Sequence, residues 1–274
     1  ESGHLVRELF APENRRKPGI RTMCWDQRVE PVLGGATGGF GGFGRGSGNA
    51  DIEGVPTPPP APGYLSRDIC ETEEDRPSGD VGPFVRPGTY HVALVVEGEV
   101  VDSESMTIVM DSEVGLAGAE RVAYDNVAND LHEVQRRGQH ISLIVAQVHE
   151  EVTAAVDQME DAEVPEALKA DFDSFQEAWD EARVKFGVPR QQGGRRFGGG
   201  QANPENVFGQ VSGLKDEVLA FWEPPSDALI ARYYDVKPAL EAAMAEAENV
   251  LELARTMSAR LAEAGISMTV PEGH

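Results

Sequence analysis

Apolar residues recur with a period of two in the stretch between residues 82 and 111. On each side of a Glu97-Gly98-Glu99 turn, every second residue is apolar: Tyr90, Val92, Leu94 and Val96 before it, and Met106, Ile108 and Met110 after it. A period of two is typical of strands, because successive side chains point to opposite faces. We therefore predict a β-hairpin here, and we expect it to separate two architectures.

Two shorter stretches near the start of the chain also predict strands, at residues 4–9 (HLVREL) and 20–26 (IRTMCWD). The first places Leu5 and Leu9 on one face and Val6 on the other. Residues 1–3 resemble the end of a tight turn, so the pairing partner of the first strand is expected upstream of this chain. An open strand edge promotes association unless it is covered. We therefore expect Leu5, Val6 and Leu9 to contact a segment from outside these 274 residues.

The segment 33–81 is rich in glycine and proline and poor in β-branched residues. A free linker is the usual interpretation of such a composition. The alternative is that Phe40 and Phe43 hold the segment against a protein surface, which would make them partner contacts. Both interpretations stay open at this point.

Beyond residue 111 the apolar residues change to steps of three and four, which predicts amphipathic helices. The first helix is expected to end near Met159, and the second follows a Val164-Pro165-Glu166 start. Four such stripes predict an antiparallel four-helix bundle. Their members are Val127, Leu131, Val134, Gly138, Ile141, Val145, Val148 and Val152; Leu168, Phe172, Phe175, Trp179, Ala182 and Phe186; Val207, Val211, Leu214, Val218 and Phe221; and Leu229, Tyr233, Val236, Leu240, Ala243, Ala247, Val250, Ala254, Met257 and Leu261.

Three local signals refine the bundle. Gly138 occupies a core position, where a missing side chain allows a neighbour to approach closely. Pro238 lies inside the fourth pattern and is expected to kink that helix. The segments 203–205 (NPE) and 225–227 (PSD) predict the N-terminal cap and first residues of the third and fourth helices.

Charge and cysteine content narrow the classes of partner and compartment. The chain has 47 acidic and 24 basic residues and a net charge of −23, which disfavours nucleic acid and anionic membrane surfaces as partners. No apolar run is long enough to span a bilayer, so we expect neither a membrane span nor a signal peptide within these residues. Cys24 and Cys70 are compatible with one disulfide in an oxidising compartment, although their spacing leaves two unpaired thiols equally open.

No motif in the chain specifies a reaction, so we assign no catalytic, cofactor-binding or metal-binding residue. The six histidines never share the i, i+4 spacing of a helical metal site, and the nucleophile-elbow, phosphate-loop and zinc-protease motifs are absent. Clustered carboxylates, such as Asp157 and Asp161, are typical of a solvated helix end. They would serve glycoside hydrolysis only as a pair in a cleft.

The order of several motifs resembles the C-terminal region of large secreted bacterial proteins of the sortilin-type or Asp-box (neuraminidase-repeat) propeller group, which are related to glycosyl hydrolases. The motifs are GHLVREL, PGIRTMCWDQRVEP, the hairpin stretch and a WEPPSDA step before the last helix. The best marks are Trp25-Asp26 with Arg28, and the Pro87-Gly88-Thr89-Tyr90 strand start. No Asp-box motif occurs in this chain, so the resemblance assigns it no propeller activity.

The resemblance implies an α+β protein of two domains. Residues 1–111 would form a small immunoglobulin-like antiparallel β-sandwich, with the Gly/Pro-rich insertion at 33–81 and Trp25 in its core. Residues 112–274 would form the four-helix bundle. The implied function is a non-catalytic interaction or scaffolding module, located in the periplasm, at the cell surface or outside the cell.

Its expected partner is a protein, either an upstream propeller domain or another subunit that completes the edge strand. The alternatives are a processed fragment of a larger extracellular assembly, and a hydrolase that acts on glycans through a propeller outside this chain.

Overall fold

Four helices occupy most of the described part of the chain. The computed structural model describes residues 3–9, 23–33, 79–111, 114–116, 118–188 and 203–271. The helices are α1 (Gly118–Asp161), α2 (Glu166–Val184), α3 (Val207–Ala220) and α4 (Asp227–Glu263). The four predicted helices are therefore confirmed, with α1 extending nine residues before its first predicted stripe position.

The apolar stripes of the four helices form one shared core. α1 packs against the other three helices, and α4 packs against α2 and α3. The largest completely enclosed side chains include Trp179 and Phe172 of α2, Leu131 of α1 and Leu214 of α3. Burial of apolar side chains at helical spacing is the main source of stability in such an arrangement, because isolated helices are marginal in water.

Capping residues define where the last two helices begin. Ser226 caps α4 by accepting a hydrogen bond from the backbone N–H of Leu229 (3.3 Å), as its sequence signal predicted. In α3 the cap is Asn206, whose side chain accepts from the N–H of Gly209 (2.8 Å), and not Asn203. α4 continues through Pro238 without being split.

Gly138 lies where α1 meets two neighbouring side chains. A methyl group added at this position would lie 3.1 Å from a ring carbon of Phe208 and 3.2 Å from Leu240. The predicted close approach is therefore confirmed. Gly213, on the exposed side of α3, has open space around the same position.

We expect Gly138→Leu to lower the free energy of unfolding by about 1–3 kcal/mol, because the core must shift to accept the larger side chain. The matched substitution Gly213→Leu should instead raise it by up to about 1 kcal/mol, because leucine favours helix over glycine. Urea unfolding of both variants provides the measurement. Equal effects at the two sites would contradict close packing at Gly138.

The β-structure consists of two small antiparallel pairs. β1 (Val32–Leu33) pairs with β2 (Gly79–Asp80), and β3 (Gly88–Val96) pairs with β4 (Glu99–Ile108). The β3–β4 hairpin confirms the hairpin predicted for residues 82–111. Its turn residues Glu97 and Gly98 both have positive φ, of 52° and 86°, which matches the twist that a two-residue hairpin loop requires.

The predicted immunoglobulin-like β-sandwich is wrong. A sandwich requires two sheets packed face to face. The described residues contain only these two-stranded pairs, one of which is two residues long on each side, and one isolated bridge between Arg28 and Phe84. Residues 3–9 lie beside residue 30 through one backbone hydrogen bond, from the N–H of Glu30 to the carbonyl of Val6 (2.9 Å), and form no ladder. Residues 23–26 form no strand either. The alternating pattern predicted strands correctly, but it carries no information on whether a second sheet covers them.

Candidate functional site

The β3–β4 hairpin exposes apolar side chains on both of its faces. Six of them are between 49% and 64% exposed: Val92, Leu94, Val95, Val96, Val100 and Val101. Within the described residues no helix packs extensively against either strand. Isolated two-stranded hairpins are marginally stable in water, so such a ribbon normally gains a covering element. We call these six side chains together the hairpin surface.

The two strands of the hairpin differ in regularity and charge. β3 pairs without interruption from Gly88 to Leu94, whereas β4 contains a bulge at Val101, where the register shifts between Leu94 and Val95. β4 also carries Glu99, Asp102 and Glu104, while β3 has no aspartate, glutamate, lysine or arginine.

An aromatic stack attaches the base of the hairpin to the helices. Phe84 stacks on Trp222 with ring centroids 5.1 Å apart, and Trp222 stacks on Tyr124 of α1 at 5.5 Å. The guanidinium of Arg28 lies 3.7 Å from the centre of the Phe84 ring, and burial lowers its pKa. Cation–π and stacked contacts of this kind add to the stability from burial alone.

Two further contacts orient β3. The Tyr90 hydroxyl donates to the carbonyl oxygen of Arg86 (2.6 Å), and its ring meets Trp25 edge-on at 6.0 Å. Trp25 therefore supports the base of the hairpin, and its Nε1–H donates to the carbonyl of Arg28 (2.8 Å). These contacts direct the apolar part of β3 away from the helices.

A buried ion pair lies next to the stack. Nε of Arg121 donates to the carboxylate of Asp125 at 2.8 Å, and the two side chains are only 11% and 8% exposed. Arg86 approaches the other Asp125 oxygen at 3.5 Å, and the Arg121 guanidinium lies 5.0 Å from the Trp222 ring centre. The pair therefore connects the hairpin base, α1 and the α3–α4 connection.

A groove of about 540 Å³ lies between α1 and α4, beside the base of the hairpin. Its polar lining includes Arg86, Asn126, Asp130 and Tyr233. Tyr233 and Lys237 both donate hydrogen bonds to the same carboxylate oxygen of Asp130. Partial burial and the bond to Asp130 raise the pKa of Tyr233.

The electrostatics of the groove do not favour acid–base catalysis. Partial burial acts to raise the pKa of Asp130, but the hydrogen bonds from Lys237 and Tyr233 outweigh it, so the pKa of Asp130 lies below its usual value. A general acid in glycoside hydrolysis needs the opposite shift. Asp130 therefore stays ionised and holds the first turns of α4 against α1.

A second cluster of polar side chains lies inside the bundle, between α1 and α3. Lys215 and Gln135 are completely buried, and Gln139 and His132 are nearly so. Burial first, and the charge of Lys215 second, lower the pKa of His132 to about 4. Its Nδ1 atom is buried without a hydrogen-bond partner, so the neutral imidazole is the form that this environment accepts.

Metal and membrane sites are not found in the described residues. These residues contain no group of three or more histidine, cysteine, aspartate or glutamate side chains that could hold a metal ion. None of the helices described combines the length and apolar character needed to cross a bilayer.

The residues predicted as partner contacts fall into two groups. Leu5 is 80% exposed and Leu9 is 40% exposed, while Val6 is half-buried beside residue 30. Phe40 and Phe43 lie outside the described residues. The proposed contacts of all five with a partner stay predictions.

The sequence suggested one disulfide between Cys24 and Cys70. Cys24 is disulfide-bonded. Cys70 lies outside the described residues, so the pairing of Cys24 with Cys70 stays a prediction.

Sequence patterns missed the ion pairs and stacks that join distant parts of the chain. Asp130 and Lys237 are 107 residues apart, and neither lies in a recognisable motif. The Arg121–Asp125 pair did carry a signal, because opposite charges at i, i+4 on a helix are neighbours.

Comparisons with protein-family models, with curated proteins and with solved structures give no match. The family resemblance described above therefore stays a prediction.

Proposed function

We propose that this chain is a non-catalytic interaction module, and that the β3–β4 hairpin is its docking element. The observation that carries the proposal is the exposure of apolar side chains on both faces of the hairpin surface. Large contiguous exposed apolar patches are uncommon on monomeric proteins and mark interaction sites when they occur.

The attachment of the hairpin supports this role. The stack of Phe84, Trp222 and Tyr124 and the bond from Tyr90 to Arg86 fix its base to the helices. A strand pair that is fixed at its base loses less conformational freedom when it binds than a free segment does, which favours affinity. The helical bundle then acts as the support that presents the hairpin.

The proposed compartment and partner class follow the sequence interpretation. The disulfide-bonded state of Cys24 favours an oxidising location, such as the periplasm, the cell surface or the extracellular space. We propose a protein partner, which is either an upstream domain of the same polypeptide or another subunit of an assembly.

Site-specific photo-crosslinking in the native host tests the docking element. A photoreactive amino acid replaces Leu94 on the hairpin or, as the matched control, Leu253 on α4; the two leucines are 57% and 52% exposed. We expect a discrete crosslinked polypeptide from position 94, with its attachment site mapped by mass spectrometry, and at least a ten-fold lower yield from position 253. Equal yields at both positions would show that the hairpin is not the docking element.

A further inference from the structure

We infer that the open edge of β3 is a strand-binding site, and that its occupant is an extended, apolar segment of another polypeptide with flanking lysine or arginine residues. This inference rests on the proposed function and specifies which edge binds and what chemistry it selects. Addition of a strand to an exposed sheet edge is a recurrent mode of peptide recognition.

The edge of β4 is protected by a side-chain hydrogen bond at one donor, by a bulge and by charge. The N–H of Ser103 donates to the carboxylate of the preceding Asp102 at 2.9 Å, so this donor is already satisfied outside the ladder. The bulge at Val101 distorts the same strand, and Glu99 and Glu104 add charge to it. Bulges and charges are the devices by which proteins protect a strand edge against further pairing.

Within the part of the chain that the structure describes, β3 pairs only with β4, and its outer edge has none of these devices. Ala93 lies directly opposite Ser103, and directly opposed residues in an antiparallel pair share one orientation of their hydrogen-bonding groups. Because the N–H of Ser103 points out of the ladder, the N–H and carbonyl of Ala93 also point outward, toward the open side of β3. Thr89 and His91, at steps of two, have the same orientation. These three residues form a regular, uncharged row of backbone groups.

The side chains on β3 define what the incoming strand must present. Tyr90, Val92 and Leu94 line one face next to the open edge, and Ala93 and Val95 line the other. Cross-strand neighbours stabilise a sheet when both are apolar or β-branched. The incoming strand should therefore carry β-branched or aromatic residues on both faces.

Charge selects a basic foreign segment over a second copy of this chain. Between Gly88 and Ile108 there are four carboxylates, at Glu97, Glu99, Asp102 and Glu104, and no lysine or arginine. Lysine side chains on an incoming strand can lie across β3 toward these carboxylates. A second copy would bring the same carboxylates and another net charge of −23 to the interface, which opposes association.

Two peptide probes test the edge and the charge together. Each is nine residues long and capped at both ends, and alternating valine and threonine residues fill the positions between its two terminal residues. The terminal residues are lysines in one peptide and glutamates in the other. In low salt, we expect the lysine peptide to protect the amides of Thr89, His91 and Ala93 from hydrogen exchange. Its affinity should exceed that of the glutamate peptide at least ten-fold, and this ratio should approach one in 1 M salt, where charges are screened.

Proline substitutions provide the matched controls. Ala93→Pro removes an outward N–H from the β3 edge, and Ser103→Pro removes the opposite one from the β4 edge. We expect the first to weaken lysine-peptide binding at least ten-fold and the second to leave it unchanged, with cross-strand NMR contacts reporting that the hairpin is intact. If either proline disrupts the hairpin, a lysine peptide N-methylated at every valine and threonine replaces it; this peptide has no donors on either edge of its interior and should not bind.

Each contrary outcome identifies a separate error. Protection of the β4 amides, or no protection at all, would overturn the assignment of the edge. Protection of β3 that increases with the concentration of the chain alone would identify a second copy as the occupant. A crosslink from position 94 combined with no peptide binding would preserve the proposed function and reject this inference alone.

Discussion

Asp125→Asn should lower the free energy of unfolding by about 3 kcal/mol, because it leaves a buried guanidinium without its counter-charge. The Arg121 side chain is 11% exposed and its Nε bonds Asp125 at 2.8 Å. An asparagine occupies nearly the same volume, so the substitution removes charge without creating a cavity. The contact between Arg121 and the Trp222 ring remains and retains part of the favourable electrostatic environment.

The control for this prediction is an exposed ion pair on the same helix. Arg136 and Glu133 are 2.7 Å apart, but their side chains are 61% and 52% exposed. Exposed pairs contribute between about 0 and 1 kcal/mol, so Glu133→Gln should have a small effect. Guanidinium chloride is a salt and screens charge, so the comparison is made by urea unfolding at constant salt. Equal losses for the two variants would show that burial does not strengthen the Asp125 pair.

Asp125→Asn should also loosen the base of the hairpin. Arg86 contacts the same carboxylate at 3.5 Å and its backbone carbonyl holds the Tyr90 hydroxyl. Hydrogen exchange at β3 therefore provides a second reading of the same substitution, and faster exchange there would connect the buried pair to the presentation of the docking edge.

The helices could be predicted from the sequence because their information is local. Spacing of three and four places a stripe on one face whatever the rest of the chain does, and α2 begins at Glu166 as the Val164-Pro165-Glu166 signal indicated. The hairpin could also be predicted from the sequence, since the alternating residues and the Glu97-Gly98 turn lie close together in the chain.

The β-sandwich that the family resemblance implied is wrong, and the alternating pattern could not exclude it because layer packing is not local. Val92 and Leu94 alternate as residues of a buried face would, yet both are exposed within the described residues. A period of two reports which side chains share a face, and it cannot report whether another sheet lies on that face. The exposed face is therefore both the error in the fold prediction and the observation that supports a docking role.

The site residues outside the hairpin could not be predicted from the sequence, for a related reason. Trp222 and Phe84 stack across more than 130 positions of sequence, and Gln158 binds the backbone of Ser267 through both its amide atoms, at 3.0 and 2.9 Å. Contacts at such separations depend on the completed fold. Residue type alone does not distinguish them from surface side chains.

The stability of the bundle should depend on pH through His132. Burial and the nearby charge of Lys215 lower its pKa to about 4 in the folded state, whereas an unfolded histidine titrates near 6.5. Above pH 6.5 both states hold the neutral ring, and the residue adds no pH dependence. Between pH 6.5 and 4 the unfolded state binds a proton that the folded state excludes, so stability falls as the pH falls.

The expected loss is about 3 kcal/mol at pH 4 relative to pH 7, since each unit of pKa difference corresponds to about 1.4 kcal/mol. His132→Gln should remove most of this dependence, because glutamine cannot gain a charge in that range. His149, whose pKa burial also lowers, adds a smaller effect of the same sign, and His149→Gln separates the two contributions. Urea unfolding at half-unit steps from pH 7 to 4 measures the slope. If the slope is unchanged in His132→Gln, protonation of the buried imidazole is not what weakens the bundle in acid.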